Sequence, residues 1–569
     1  MNRLRARLSP LGRKATGFTS QPEPRTIGSF ARGRQLCAGN FLFAGHLIEA
    51  PDTKIWDLAA PDQAFQNEVH GFAWLDDLAA VGDGPAQRCA QIWTHEWIAR
   101  FGRGTGPGWA PDLTGRRLIR WINHAIFLLN GVSSDTSRAF FAALSHQANF
   151  VAHRWHAAAP GLPRFEALSG LIYAALSLAG LSQNISRAMR ALDRECETQI
   201  DREGGIASRN PEELLEVFTL LTWTFEALTE AGHTPGPNHK AAIERIAPTL
   251  RALRHADGGL ARFHGGGRGL EGRLDQALAS SGVRRMRPNG LAMGFARLSH
   301  GRTSVIIDAA LPPRMQHSLN GHASTLAFEL TSGRRPIIVN CGSGATFGTS
   351  WRRAGRATPS HSTLAIEGYS SSRLGGTGFI AGQRTELLVD TPRDVQCREV
   401  GEENPTVTLV TSHDGYVHTH GLTHVRRLEL STDGRSLTGE DALSAIGKNA
   451  EKHFDQVFER TRLQGVPFQI RFHLHPDVNA QLDMGGNAVS LALKSGELWV
   501  FRHDGTAQMT LAPSVYLETG RLSPRATKQI VLSSAAMDYA TRIGWIFAKA
   551  QETPAATRDF ALEEDLAYD

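Results

Sequence analysis

Apolar residues in the first half of the chain recur at helical spacing. In residues 86–101, Cys89, Ile92, Trp93 and Trp97 recur at intervals of three and four, which places them on one helix face. The same pattern is present in residues 115–130, 136–155, 164–181, 186–200, 211–232 and 239–255. The connections between these segments are short, so we expect consecutive helices to pack as antiparallel hairpins.

From about residue 293 the apolar period changes from 3.6 to 2. Short β-branched runs follow one another, among them TSVIIDAA, STLAFEL, PIIVN, TVTLVTS, PFQIRFHLH and ELWVFRH, and Gly, Pro, Asn or Asp turns separate them. Regular short strands without intervening helices predict an antiparallel β-sandwich. A helical pattern returns only near MDYATRIGWIFAKAQ, before an acidic tail.

The pattern therefore predicts an α-then-β chain of several domains, with helices in the first half and strands in the second. Its 569 residues are too many for one hydrophobic core. Eight of its eleven tryptophans precede residue 230, which supports a change of domain near 285–295. We predict a flexible basic N-terminal arm over 1–45, a helical domain over 46–290, a β-sandwich over 291–535, and a C-terminal helix with an acidic tail over 536–569.

Composition restricts the class of protein. With 41% apolar and 21% charged residues, the chain has the composition of a soluble globular protein. Its net charge of +5 fits either a polyanionic partner or a generally basic proteome. The five scattered cysteines form no CxxC pair and predict neither a disulfide framework nor a cysteine zinc site. No dense basic run or known module indicates nucleic-acid binding.

Membrane and export signals are weak. No run of 18 apolar residues predicts a transmembrane segment. Charges and prolines interrupt the basic N-terminus, so it does not resemble a secretory signal. A disordered arm and an interfacial basic segment both fit it, and we expect the arm.

The candidate chemistry centres on residues 317–367. Two β-type runs there each begin with a histidine, His322 or His361, and Asn340 ends the run PIIVN between them. Imidazoles at strand ends suit proton transfer near neutral pH. They also suit a metal, so a structural zinc held by His322, Asn340 and His361 is an alternative, although asparagine is an uncommon zinc ligand.

Two sets of residues in the first half could bind a ligand. Arg209 and Asn210 follow a Glu-Gly-Gly loop, where they could hold a carboxylate or sulfate, or simply cap the next helix. Trp121 shares a helix face with Arg117 and Arg120, a set that could line a sugar groove or belong to the core.

Several motifs together resemble heparinase II/III-like polysaccharide lyases over roughly residues 100–535. They are WAPDLTGRRLIRWINH, EGGIASRNP, RHADGGLARF, NGHASTLAFELTSGRRPIIVNCGSG, RATPSHSTLAIEG and RFHLHP. The resemblance implies an incomplete α/α toroid followed by antiparallel β-sheet layers. It also implies cleavage of an acidic, uronic-acid-containing polysaccharide by β-elimination, with no required cofactor. The resemblance implies a location in the cell envelope or periplasm, whereas the lack of a recognisable signal peptide leaves a cytoplasmic location open.

Carried onto this chain, the resemblance implies that His322 and His361 act as base or acid, with Asn320 beside them. Substrate contacts are expected from Arg164, Arg209, Asn210, Arg353 and Trp121. The partner is then an anionic polysaccharide, and nothing in the sequence indicates the oligomeric state.

The chain departs from the family pattern at some positions. Ser324 stands where an Asp is common, and residues 211–214 occupy the place of the usual Tyr. Two hypotheses follow: a divergent lyase, which we favour, or a catalytically silent relative that binds an anionic glycan or acts as an envelope-associated scaffold.

Overall fold

A computed structural model describes residues 1–20, 24–286, 288, 290–380, 383–400 and 407–554, with the backbone alone over 376–380 and 383–384. The chain forms two compact units. The first, the helical unit, comprises Met1–Gly204, Leu215–Ala247 and Gly272–Arg285. The second, the β unit, comprises Gly205–Leu214, Pro248–Glu271 and Met286–Asp569.

The helices of the first half lie close to the predicted segments. They are α1 (Asn2–Leu8), α2 (Phe30–Cys37), α3 (Gln63–Gly71), α4 (Trp74–Val81), α5 (Gly84–Phe101), α6 (Pro111–Asn123), α7 (Ala125–Leu129), α8 (Ser134–Arg154), α9 (Leu162–Ser177), α10 (Ile185–Gln199), α11 (Pro211–Glu230), α12 (Pro237–Ala252) and α13 (Arg273–Ser280). A small hairpin, β1 (Asn40–Phe43) and β2 (His46–Glu49), lies between α2 and α3. None of the described helices is both long and apolar enough to cross a membrane.

Helices α6 and α9 pack with their backbones in close contact. A Cβ on Gly115 would lie 2.2 Å from the carbonyl oxygen of Glu166, and one on Gly170 would lie 2.4 Å from the Cα of Gly115. Every residue of α9 from Phe165 onward is buried. The two glycines therefore set the spacing of the central helix pair, because no side chain fits between the backbones.

The predicted flexible arm over 1–45 is wrong in its described part. This segment contains α1, α2 and β1, and Ala6 is fully buried. Asn149 on α8 donates hydrogen bonds from Nδ2 to the carbonyls of Ser9 and Arg13. The basic composition led to the prediction of disorder, but these bonds and small buried residues fix the segment on α8.

The β unit contains eighteen described strands. They are β3 (Phe295–His300), β4 (Thr303–Asp308), β5 (Phe328–Ser332), β6 (Arg335–Val339), β7 (Leu364–Ile366), β8 (Arg373–Ile380), β9 (Gln383–Val389), β10 (Val395–Val400), β11 (Thr408–Tyr416), β12 (Leu422–Leu430), β13 (Ser436–Ser444), β14 (Val466–Leu474), β15 (Asn479–Asp483), β16 (Ala488–Ala492), β17 (Leu498–His503), β18 (Gln508–Tyr516), β19 (Arg525–Ala536) and β20 (Ala540–Gln551). Short helices α14 (Thr349–Gly355), α15 (Val417–His420) and α16 (Lys448–Arg460) connect some of them.

These strands form two large antiparallel sheets. One has the order β10-β11-β12-β13-β20-β17-β16-β15. The other has the order β18-β19-β14-β6-β5-β4-β3, with β7 paired to β14. Their inner faces share one apolar core, in which Phe328 of one sheet stacks on Trp545 of the other with ring centroids 5.7 Å apart. The predicted order of helical half and β-sandwich is confirmed.

The predicted C-terminal helix within 536–569 is wrong. Residues Ala540–Gln551 form β20, which pairs with β13 and β17 in the middle of a sheet. Ile543, Trp545 and Phe547 are buried at every second position, so the period is 2. Ile546 beside them gives the run its helical appearance in sequence. The acidic tail over 555–569 lies outside the described residues.

The division into units also differs from the predicted domain limits. The helical unit ends at Arg285, but Gly205–Leu214 and Pro248–Glu271 group with the β unit although they precede residue 290. Hydrogen bonds explain this, because Arg209 binds Asp308 and the Arg262 amide donates to Glu329. These two segments bring residues from before the strand region into the β unit.

The α6–α9 contact gives a stability prediction. We expect Gly115→Ala to lower the free energy of unfolding by about 2 kcal/mol, since the new Cβ overlaps backbone atoms that cannot turn away. Urea unfolding followed by circular dichroism measures the change. Gly17→Ala is the matched control, because no atom lies within 4 Å of its Cβ position, and an equal loss there would contradict the packing argument.

Candidate functional site

His322 and His361 meet in the β unit through their rings. His322 Nδ1 lies 3.0 Å from His361 Nε2. Both residues are buried, with His322 4% exposed and His361 2% exposed. Both precede their strands rather than begin them, because β5 starts at Phe328 and β7 at Leu364. The predicted strand starts are therefore wrong, but the loops bring the two imidazoles together.

Hydrogen bonding fixes the tautomers of this pair. His361 Nδ1 lies 2.9 Å from the carbonyl oxygen of Ala357, which can only accept, so Nδ1 carries the proton. His361 Nε2 then accepts from His322 Nδ1–H. His322 consequently carries its lone pair on Nε2, for which no hydrogen-bond partner is found among the described residues. The pair presents one neutral, basic nitrogen.

Burial keeps both histidines neutral. It lowers the pKa of His361 to about 4. Burial also holds the pKa of His322 well below its usual value, and the neighbouring His361 adds to this effect. At neutral pH both rings are uncharged, and because burial disfavours the imidazolium, His322 is a weaker base than an exposed histidine.

A buried acid–base group lies behind His322. His264 Nδ1 accepts the backbone N–H of His322 at 3.2 Å, and His264 Nε2 lies 3.4 Å from Asp308 Oδ2. The Ser324 hydroxyl donates to the same carboxylate oxygen at 2.7 Å. Burial would raise the pKa of Asp308, but the Arg209 guanidinium holds it below its usual value. Asp308 is thus ionised, and the Arg209 guanidinium balances its negative charge inside the protein.

Arg209 is saturated by this arrangement. Its guanidinium donates to Asp308 and to four backbone carbonyls, those of Met293, Gly294, Ala310 and Leu311. Five acceptors match the five N–H donors of an arginine. Arg209 (φ +53°) and His264 (φ +48°) both hold left-handed backbone, which non-glycine residues rarely adopt.

A second buried network positions the two histidine loops. Arg426 on β12 and Asp441 on β13 form a bidentate pair, with Nε–Oδ1 at 2.7 Å and Nη2–Oδ2 at 3.0 Å. Arg426 Nη1 donates to the carbonyls of Leu326 and Ser362, which follow His322 and His361. Burial would raise the pKa of Asp441, but Arg426 keeps it below its usual value.

Arg356 holds the loop before His322. Its guanidinium donates to the carbonyls of Ser318 and Gly321, and the side chain is buried. Asn320 between them is exposed, and its Oδ1 accepts from Arg352 Nη2 at 3.1 Å. Asn320 is therefore an accessible polar side chain of this loop.

The other predicted substrate contacts have internal partners. Asn210 is buried and caps α11, with Oδ1 accepting the amides of Glu212 and Glu213. Arg353 pairs with Glu386 at the surface.

Two predicted substrate contacts belong to the helical unit. Arg164 pairs with Glu195 at 3.1 Å, and Trp121 is fully buried among aromatic rings. Of the two interpretations of Trp121 and its flanking arginines, the structure places the tryptophan in the core.

Asn340 lies behind the histidine pair rather than between the rings. Its Oδ1 accepts the Ser362 amide at 3.1 Å, and its Nδ2 is buried without a partner in the described residues. The described part of the chain contains no group of three or more His, Cys, Asp or Glu side chains arranged to hold a metal ion. The predicted zinc set of His322, Asn340 and His361 includes an asparagine, so it stays a prediction.

Five residues of this region were not predicted from the sequence: Asp308, His264, Arg356, Arg426 and Asp441. One signal was available, since Asp308 ends the apolar run TSVIID and so lies at a strand end. The rest follow from cross-sheet contacts that no local pattern records.

The family comparison fits this architecture. Residues 282–546 match the family described as "Heparinase II/III-like, C-terminal". The chain carries a heparinase II/III-like C-terminal domain. The resemblance predicted from the motifs is thereby confirmed over these residues.

Proteins similar to this chain differ in what their names describe. FtsZ-localized protein C of Caulobacter vibrioides (strain NA1000 / CB15N) is 29% identical over 543 residues, which cover 94% of this chain and 91% of that protein. The crystal structure of heparinase III matches 96% of this chain and 89% of its own, with a TM-score of 0.69 and 12% identity.

A heparan sulfate lyase, HepC of Pedobacter heparinus in mutant form, matches 97% of this chain and 88% of its own, with a TM-score of 0.58 and 13% identity. These structural matches establish that the chain shares the fold of these lyases. Because the sequence identities are so low, the matches establish nothing about its activity.

The neutral histidine pair predicts acid sensitivity. His361 has a folded pKa near 4 against an ordinary value of 6.5, so the unfolded chain binds its proton first as pH falls. Stability conferred by the neutral ring is complete above pH 6.5 and is lost between about 6.5 and 4, by about 1.4 kcal/mol per pH unit.

We expect His361→Asn to make the unfolding free energy depend less steeply on pH in this window. The slope should fall by up to about 1.4 kcal/mol per pH unit, which corresponds to one proton. Urea unfolding at half-unit pH steps measures it. His418→Asn, at an exposed position, is the matched control. An unchanged slope for His361→Asn would show that the ring is not buried as a neutral group.

Proposed function

We propose that this heparinase II/III-like protein is a catalytically silent scaffold that localises with FtsZ. The observation that carries the proposal is the saturation of Arg209. A lyase of this type needs hydrogen-bond donors at the uronate carboxylate, because neutralising that group acidifies the adjacent C–H. Arg209 is the buried guanidinium expected to supply them. All five donors of Arg209 bind acceptors of the protein, among them Asp308.

The position of the family tyrosine supports the same proposal. Residues 211–214 begin α11, and their side chains serve the fold. Glu212 accepts the Gly267 amide at 2.7 Å, and Glu213 accepts the Ser208 hydroxyl at 2.8 Å. No phenol is available there for proton transfer.

The similarity to FtsZ-localized protein C also supports a scaffold role. FtsZ-localized protein C aligns over nearly the whole length of both chains, and its name describes localisation rather than catalysis. We extend that role to this chain, with an anionic glycan as a further binding partner that the family resemblance predicts.

A divergent lyase is the second candidate, and one observation favours it. His322 carries a free lone pair on Nε2, fixed by the tautomer of His361. In that case His322 removes the proton next to the uronate carboxylate, and the exposed Asn320 contacts the sugar.

An absorbance assay separates the two candidates. We expect no formation of unsaturated uronate when the full chain is incubated with heparan sulfate, chondroitin sulfate, hyaluronan or polygalacturonate, with a commercial heparinase as positive control. A signal that disappears in His322→Ala and persists in the exposed-site variant His418→Ala would establish the lyase and reject the silent scaffold.

The scaffold role has its own measurement. We expect the full chain to sediment with FtsZ polymers formed with GTP, and to stay in the supernatant when FtsZ is left unpolymerised. His322→Ala should sediment equally, because the proposed role does not use the histidine pair. Failure to sediment with FtsZ polymers, together with a lyase signal, would overturn the proposal.

A further inference from the structure

The first helix of the chain presents an apolar stripe to solvent. Met1, Leu4, Leu8 and Leu11 are spaced by three, four and three residues and are 44–89% exposed. The spacing follows α1 and the 3₁₀ turn Ser9–Leu11, so the four side chains share one side. A contiguous exposed stripe of this kind is unusual on a soluble surface.

The opposite side of the same helix is attached to the helical unit. Ala6 and Ser9 are buried there, and Arg154 on α8 donates from Nε to Asn2 Oδ1 at 2.7 Å. Gly104 permits this close approach, because a Cβ at that position would lie 2.4 Å from the carbonyl carbon of Ala6. The helix is thus held with its apolar stripe facing outward.

Positive charge surrounds the stripe. Residues 1–20 contain five basic side chains and no acidic one; the five are Arg3, Arg5, Arg7, Arg13 and Lys14, all exposed. With about 100° per residue, Arg5 lies on one side of the leucine stripe and Arg3 and Arg7 lie on the other. Arg103, next to the contact between Gly104 and Ala6, is also exposed.

We propose that α1 and the turn after it, residues 1–14, form a docking surface for an anionic lipid membrane, with the leucine stripe inserted at the interface. Leucines on one side and arginines at its margins are the features that bind acidic bilayer surfaces. A nucleic acid would use the arginines but leave the leucines in water, so the stripe favours a bilayer. This inference does not depend on the chemistry of the histidine pair.

Vesicle flotation with the full chain tests the surface. We expect binding to vesicles of 30% phosphatidylglycerol in phosphatidylcholine, and at least about tenfold weaker binding to phosphatidylcholine alone. Binding should also fall as salt rises from 50 to 500 mM, since screening weakens the attraction of the arginines.

Two variants separate insertion from charge. We expect Leu4→Gln with Leu8→Gln to weaken binding about tenfold, and Arg3→Gln with Arg7→Gln to weaken it by about fivefold per arginine. The control, Leu463→Gln with Leu482→Gln, changes two leucines of similar exposure elsewhere and should bind as the parent does. All three should keep the parent melting temperature, because the changed side chains are exposed.

Three outcomes would overturn the proposal. Equal binding to neutral vesicles would remove the role of charge. Full binding by the double leucine variant would show a polyanion site without insertion. Loss of binding in the control pair would place the contact outside residues 1–14.

Discussion

The pairing of Arg426 with Asp441 is the constraint on which the functional region depends. Arg426 and Asp441 are both buried, and their pairing balances the two charges, fixes β12 against β13 and leaves one guanidinium nitrogen for other bonds. That nitrogen binds the carbonyls of Leu326 and Ser362. The two loops with the histidines therefore take their positions from a charge pair in a sheet rather than from their own sequences.

The site and its support differ in how much of them the sequence could predict. His322 and His361 stand in motifs with recognisable alternation, and the strands after them were predicted to within a few residues. Their partners were not predictable, because Arg426 lies 100 residues from Leu326 and His264 lies 58 residues from His322. Local periodicity records which side of a strand is buried but not which strand lies opposite.

The errors at the two ends of the chain have separate physical causes. At 540–551, adjacent apolar residues satisfied both the helical and the strand period, and pairing with two neighbouring strands decided the outcome. At the N-terminus, exposed arginines suggested disorder, whereas a few small buried residues and two hydrogen bonds from Asn149 determine the structure. In both cases tertiary contacts outweighed composition.

The left-handed backbone at Arg209 and His264 has a consequence for related sequences. Glycine would adopt either conformation without strain, so the arginine and the histidine hold it at a cost in backbone energy. Each side chain makes a buried hydrogen bond that glycine could not make: the guanidinium donates to Asp308, and the imidazole accepts the His322 amide. A glycine at position 209 or 264 in a related chain would therefore relieve the backbone but leave Asp308 or the His322 amide without this partner.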